Sequence, residues 1–153
     1  MKILSALFVL ALLCSSGGIS ANINAAYHSH EEDAVLEVVF RYQLANCYKR
    51  RSPKVYFLAR GVEELSDEFM ERFKDHTPPV RKRSQMTSEF RDKETGVQGV
   101  ILGVKSIKQL DELRFEIEGY CAAGGLDGYG YVYEVVQVEG QWKIKNVRET
   151  WIS

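Results

Sequence analysis

The stretch that most constrains the fold is Asp111 to Ser153, where three alternating runs follow one another almost without linkers: LRFEIEGYC, YGYVYEVVQV and QWKIKNVRETWIS. Successive side chains of a β-strand point to opposite faces, so sustained period-two alternation marks half-buried antiparallel strands. In the first run Leu113, Phe115, Ile117, Gly119 and Cys121 fall on one face and Arg114, Glu116, Glu118 and Tyr120 on the other. The first set faces the core, and the rest of the chain must cover it. Trp151 and Ile152 imply that the last strand stays ordered to its tip.

The chain begins MKILSALFVLALLCSSGGISA: a lone Lys2, an apolar run from Ile3 to Leu13, then small residues ending at Ala21. That is the pattern of a secretory signal peptide, too short in its apolar part to span a bilayer. Cleavage is expected after Ala21, with Ala25/Ala26 as second choice, giving a secreted or periplasmic product. Cys14 raises lipid anchoring, but a lipobox needs a small residue just before the cysteine and Leu12-Leu13 precede it, which argues against an anchor. No later segment is apolar enough to span a membrane. At 153 residues one domain, from His30 to Ser153, follows a flexible lead-in over Asn22–Ser29. The net charge of −1, or −2 once Lys2 is lost with the leader, gives no concentrated positive field and excludes nucleic acid as a partner class.

Ser29-His30-Glu31-Glu32 has the spacing of a capping box, and Ala34 to Leu44 carries a broad helical stripe, predicting a helix from His30 to Cys47. His28, His30 and the adjoining acids would also suit a metal, but the cap accounts for them, and no metal site is expected. Lys49 to Lys54 reads as a solvated turn. Val55 to Ala59 is a strand. Ser66 then caps a second helix ending near His76, before Pro78-Pro79. Val80 to Met86, with Arg81, Lys82 and Arg83, is an edge strand guarded by charge. Asp92 to Gly96 is turn chemistry, Gly99 to Val104 a central strand, and Lys108 to Glu112 the turn into the final sheet. Ala122 to Gly128 is a wide hairpin loop, neither a P-loop nor a dinucleotide fingerprint, and no cofactor is called for.

The register of the last hairpin decides the functional surface. With Glu139-Gly140 as a two-residue turn, Val135 faces Ile144, Tyr133 faces Asn146, Tyr131 faces Arg148 and Tyr129 faces Thr150. Tyr129, Tyr131, Tyr133, Trp142, Asn146 and Arg148 then converge on one face as a ligand site with an apolar floor and a few polar groups. A three-residue loop slips the register by one, and Trp142 and Ile144 join Val132, Val136 and Val138 in a plain core. Cys47 and Cys121 are either a disulfide or two separate buried thiols.

The order helix, strand, helix, then strands ending in EGQWKIK resembles the nuclear-transport-factor-like and cystatin-like α+β superfamily. The segment YFLARGVEELSDEFMERF is similar to that of small exported bacterial proteins of unassigned role. The resemblance implies a long N-terminal helix and a short second helix packed on a curved, mainly antiparallel sheet of five to six strands. It also covers both noncatalytic modules and pocket enzymes. The expectation is a noncatalytic module that binds a small molecule, peptide or protein through the tyrosine-rich sheet face. Against it stand a lyase- or isomerase-type enzyme, with Tyr131 or Tyr133 as acid/base and Arg148 as anion clamp, and an inhibitor- or immunity-like protein.

Overall fold

A computed structural model describes residues 17–48 and 51–153, with side chains described from residue 30 onward. The leader reading of Met1 to Ala21 falls mostly on residues 1–16, outside the described residues, as does Cys14. The elements are α1 (Gly17–Asn46), β1 (Tyr56–Arg60), α2 (Asp67–Glu71), β2 (Val80–Lys82), β3 (Val100–Asp111), β4 (Arg114–Gly124), β5 (Asp127–Val138) and β6 (Gln141–Ile152). This is an α+β fold built on one six-stranded mixed sheet, ordered β2-β1-β3-β4-β5-β6. β1 pairs parallel with β2 and β3, and the remaining pairs are antiparallel. No helix among the described residues is long and apolar enough to cross a membrane.

α1 lies on one face of the sheet, here called the inner face. Val35, Leu36, Val39, Phe40 and Leu44 bury its stripe against Leu58, Leu102, Ile117, Tyr133 and Val135. Its apolar stripe from Val35 to Leu44 follows the spacing expected from sequence. Acidic side chains along α1 hold neighbouring elements. Glu32 accepts from Arg60 of β1 at 2.6 Å, and Glu37 from Arg72, just after α2, at 3.0 Å. α2 is capped as expected by Ser66, whose hydroxyl accepts from the Phe69 amide at 3.1 Å. Beyond Glu71 the chain tightens into i→i+3 turns, such as Phe73 N–H to Met70 O at 2.9 Å, which buries Phe73 beside Phe69.

The opposite, outer face has a smaller core of its own. The segment 83–98 folds over it, placing Met86 and Phe90 on Val55, Phe57, Ala59 and Ile101. Asp92 pins this segment. It is 2 % exposed and accepts from the Thr95 hydroxyl at 2.7 Å and the Glu94 amide at 3.3 Å, with Arg81 Nε 3.3 Å away. The edge strand expected over Val80–Met86 is therefore only β2, followed by a single 3-10 turn at Arg83–Gln85.

Two connections are tighter than the sequence suggests. β3 continues through Lys108 to Asp111, and Asp111 turns the chain by accepting from the Leu113 amide at 3.0 Å and Arg114 Nε at 2.6 Å. β4 runs on to Gly124, leaving only Gly125-Leu126 between it and β5.

Candidate functional site

Glu139-Gly140 does form the two-residue turn, with φ of 52° and 75°, as the type I′ geometry of a twisted hairpin requires. Val138 pairs with Gln141 and Val135 with Ile144. Beyond that pair β6 departs from the simple ladder. Lys145 is an extra residue, so Glu134 pairs with Asn146, Tyr133 with Val147 and Tyr131 with Glu149; Thr150 is a second extra residue, so Gly130 pairs with Trp151 and Tyr129 with Ile152. Each inserted residue moves the downstream part of β6 to the opposite face. Tyr129, Tyr131 and Tyr133 stay on the inner face, while Asn146 and Arg148 are exposed on the outer face. The six residues expected to converge are thus split. Trp142 is on the inner face at the hairpin end, edge-on to Phe115 with ring centroids 5.2 Å apart.

What gathers around the inner tyrosines is the C-terminal end of α1. A disulfide joins Cys47 to Cys121 of β4, whose cross-strand neighbour is Tyr129. Tyr48, the residue after Cys47, is therefore brought to Tyr129, and their rings meet edge to face at 5.7 Å. Tyr48 has φ of 54°, a left-handed conformation that usually falls to glycine after a helix and costs a larger residue about 1 kcal/mol or more. Its hydroxyl lies 2.6 Å from the Asp127 carbonyl and 2.9 Å from its Oδ1. Arg51 is paired with the Asp127 carboxylate and stands 5.2 Å over the Tyr48 ring. Together with Asn46, Tyr129, Tyr131 and the disulfide, Tyr48 and Arg51 line an open cavity of about 430 Å³.

The electrostatics of this cavity are those of neutral hydrogen-bonding groups. Burial raises the Tyr48 hydroxyl well above the ordinary tyrosine range, and the Asp127 carboxylate adds to the shift. Tyr131 is also raised, by burial and then by the charge of Glu149. Both tyrosines keep their protons at neutral pH, and the Arg51 cation is balanced by Asp127. Tyr133, whose ring lies 5.9 Å from that of Tyr131, is fully buried and raised by burial, a shift that its hydrogen bond with Gln43 opposes. Gln43, itself fully buried, points Nε2 at the Gly103 carbonyl (3.1 Å), the Tyr120 carbonyl (3.3 Å) and the Tyr133 hydroxyl (3.3 Å), while its Oε1 has no partner. Among the described residues no three His, Cys, Asp or Glu side chains come together as a metal's donor set would require.

Tyr48, Arg51, Asp127 and Gln43 were not singled out by the sequence. The available signal was conditional: if Cys47 bonds to Cys121, the residue after Cys47 must reach the strand neighbour of Cys121. Compared with known proteins, the chain matches no family model, and no curated protein or solved structure is significantly similar to it.

Proposed function

We propose that this chain is an exported, noncatalytic binding module that holds a small, neutral, polar ligand in the tyrosine-lined cavity at the end of α1. The observation that carries the reading is Tyr48, kept in a left-handed conformation at the rim of a cavity it shares with Tyr129 and Tyr131. Backbone strain of this kind persists where the surroundings over-determine it, and it clusters at ligand sites. A ligand with an apolar face and a hydroxyl or amide rim would pack on the rings and exchange hydrogen bonds with the protonated tyrosines and Asn46. The enzyme alternative needs a tyrosine that yields its proton and an arginine clamp beside it. Both shifts run upward, and Arg148 is on the other face.

Export is part of the proposal and is supported by the Met1–Ala21 pattern and the Cys47–Cys121 bond, which persists in oxidising compartments. So is the nuclear-transport-factor-like or cystatin-like affiliation, supported by a helix packed on one face of the sheet. The mass of the protein recovered from the export compartment tests the first point, with an N-terminus at Asn22 expected.

A thermal-shift screen of a small-molecule library tests the binding reading, because a ligand at a hundred times its Kd adds about 2.7 kcal/mol of stability. Tyr48→Phe and Tyr129→Ala should each abolish the shift produced by the hits. Hits whose shift is unchanged in both folded variants would refute the cavity as the site.

A further inference from the structure

The outer face of the sheet carries a second site that the tyrosine cavity does not account for. One cross-strand row runs Gly103–Tyr120–Gly130–Trp151, from β3 to β6, alternating glycine with an aromatic residue. A methyl group on Gly103 would overlap the Tyr120 ring at Cε1 and Cζ, and one on Gly130 would overlap the Trp151 indole at Nε1, Cδ1 and Cε2. Each ring therefore lies across the glycine of the preceding strand, leaning the same way, with one face on the backbone. Trp151 remains 48 % exposed, although indole is among the costlier side chains to leave in water. Between and beside the rings is a groove of about 540 Å³, lined by Lys105, Glu118, Tyr120, Val132, Thr150 and Trp151, with Gly119 and Tyr131, a residue shared with the tyrosine cavity, also at its border. Lys105 Nζ is 3.8 Å from Glu118 Oε2, so the rim presents a donor and an acceptor side by side without net charge. The two inserted residues of β6 build this site: Thr150 brings Trp151 onto the outer face, and Lys145 brings Arg148 opposite Val132 on the same face.

We propose that this groove is a saccharide-binding site, in which pyranose rings stack on Trp151 and Tyr120 while their hydroxyls bond to Glu118, Lys105 and Thr150. A pyranose has one face of C–H groups and a rim of equatorial hydroxyls. The C–H groups, slightly positive, are drawn to the negative face of an aromatic ring, and the hydroxyls need alternating donors and acceptors. The groove offers both in that arrangement. A single-stranded nucleic acid would also stack on the rings, but Lys105 is paired with Glu118 and Lys145 with Glu134, so the face lacks the concentrated positive field that phosphates require.

The test uses the full mature chain and four soluble probes, the hexasaccharides of cellulose, chitin, starch and xylan, titrated by calorimetry and tryptophan fluorescence. In Trp142→Phe the only tryptophan left in the chain is Trp151. Binding of at least one probe is expected, with a fluorescence change in Trp142→Phe. The affinity should fall about tenfold or more in Trp151→Ala and several-fold in Glu118→Gln, an exposed change that leaves the fold intact. Tyr129→Ala should leave it unchanged, which separates this site from the tyrosine cavity. Absence of binding to all four probes overturns the proposal. So does binding that survives both Trp151→Ala and Glu118→Gln, or tighter binding to an oligothymidylate than to any saccharide.

Discussion

Replacing Gln43 by leucine isolates the polar contact that ties α1 to the centre of the sheet. The side chain is fully buried, and leucine nearly matches its volume, so packing changes little. Its two amide hydrogens serve three acceptors, at 3.1, 3.3 and 3.3 Å. Removing them leaves the Gly103 and Tyr120 carbonyls and the Tyr133 hydroxyl short of a donor in the core, at about 1–3 kcal/mol for each group left unsatisfied. The carbonyls belong to paired strands and have a second lone pair, which places them at the low end. Deleting the unpartnered Oε1 returns roughly 1 kcal/mol. The net expectation is a loss of about 2 kcal/mol, or roughly 6–8 °C in Tm for a domain of this size. Urea denaturation followed by fluorescence should show a lower midpoint with an unchanged slope. Adding Tyr133→Phe to Gln43→Leu should cost little more, because the hydroxyl has already lost its donor. A Gln43→Leu protein within about 0.5 kcal/mol of wild type would refute the claim that this contact holds helix to sheet.

Three further perturbations probe other parts of the fold. The Cys47–Cys121 bond spans 74 residues, so Cys47→Ala/Cys121→Ala should lower stability by about 4 kcal/mol, seen as matching melting curves for the variant and the reduced wild type. Burial pushes the Asp92 carboxyl up, but the Thr95 hydroxyl, the Glu94 and Thr95 amides and Arg81 outweigh it and hold it below the usual carboxylate range. The folded state thus binds this proton less tightly than the unfolded chain. Its stabilisation is present at neutral pH and is lost as pH falls below about 4, through the folded value; Asp92→Asn should cost about 2–4 kcal/mol at pH 7 and flatten this part of the acid melting profile. Glu139→Asn, at φ 52° in the hairpin turn, should raise stability by about 0.5–1 kcal/mol in denaturant titration, since asparagine tolerates the left-handed conformation better.

The strands of the C-terminal sheet were legible because one buried face preserves period-two alternation: Phe115, Ile117, Gly119 and Cys121 are buried as their spacing predicts, whereas Leu113, assigned to the same face, lies in the turn before β4 and is exposed. The two-residue turn was legible from Glu139-Gly140. The ladder beyond it was not, because the insertions at Lys145 and Thr150 fall within KIKNVRETW, where no glycine signals a bulge, and each one exchanges the faces downstream. The parallel pairing of β1 with β2 and β3 was hidden for a different reason, since it joins segments distant in sequence and local pattern says nothing about partner choice. The outer core carries only Met86 and Phe90 from the covering segment, too few for a periodic signal. Half of the inner site was visible as tyrosines on a strand. The other half, Tyr48 and Arg51, depended on a disulfide that spacing alone leaves open.

The division of labour between the two faces rests on the register of β5 against β6, and an NMR measurement of cross-strand contacts tests it directly. Facing residues of an antiparallel pair have Cα atoms about 4.5–5.5 Å apart, close enough for strong nuclear Overhauser effects between their backbone protons. The observed register predicts such contacts for Tyr133 with Val147, Tyr131 with Glu149 and Gly130 with Trp151. Contacts of Tyr133 with Asn146 and Tyr131 with Arg148 would contradict it, returning Arg148 to the tyrosine face and placing Trp151 opposite Gly128 instead of Gly130, out of the row it forms with Tyr120.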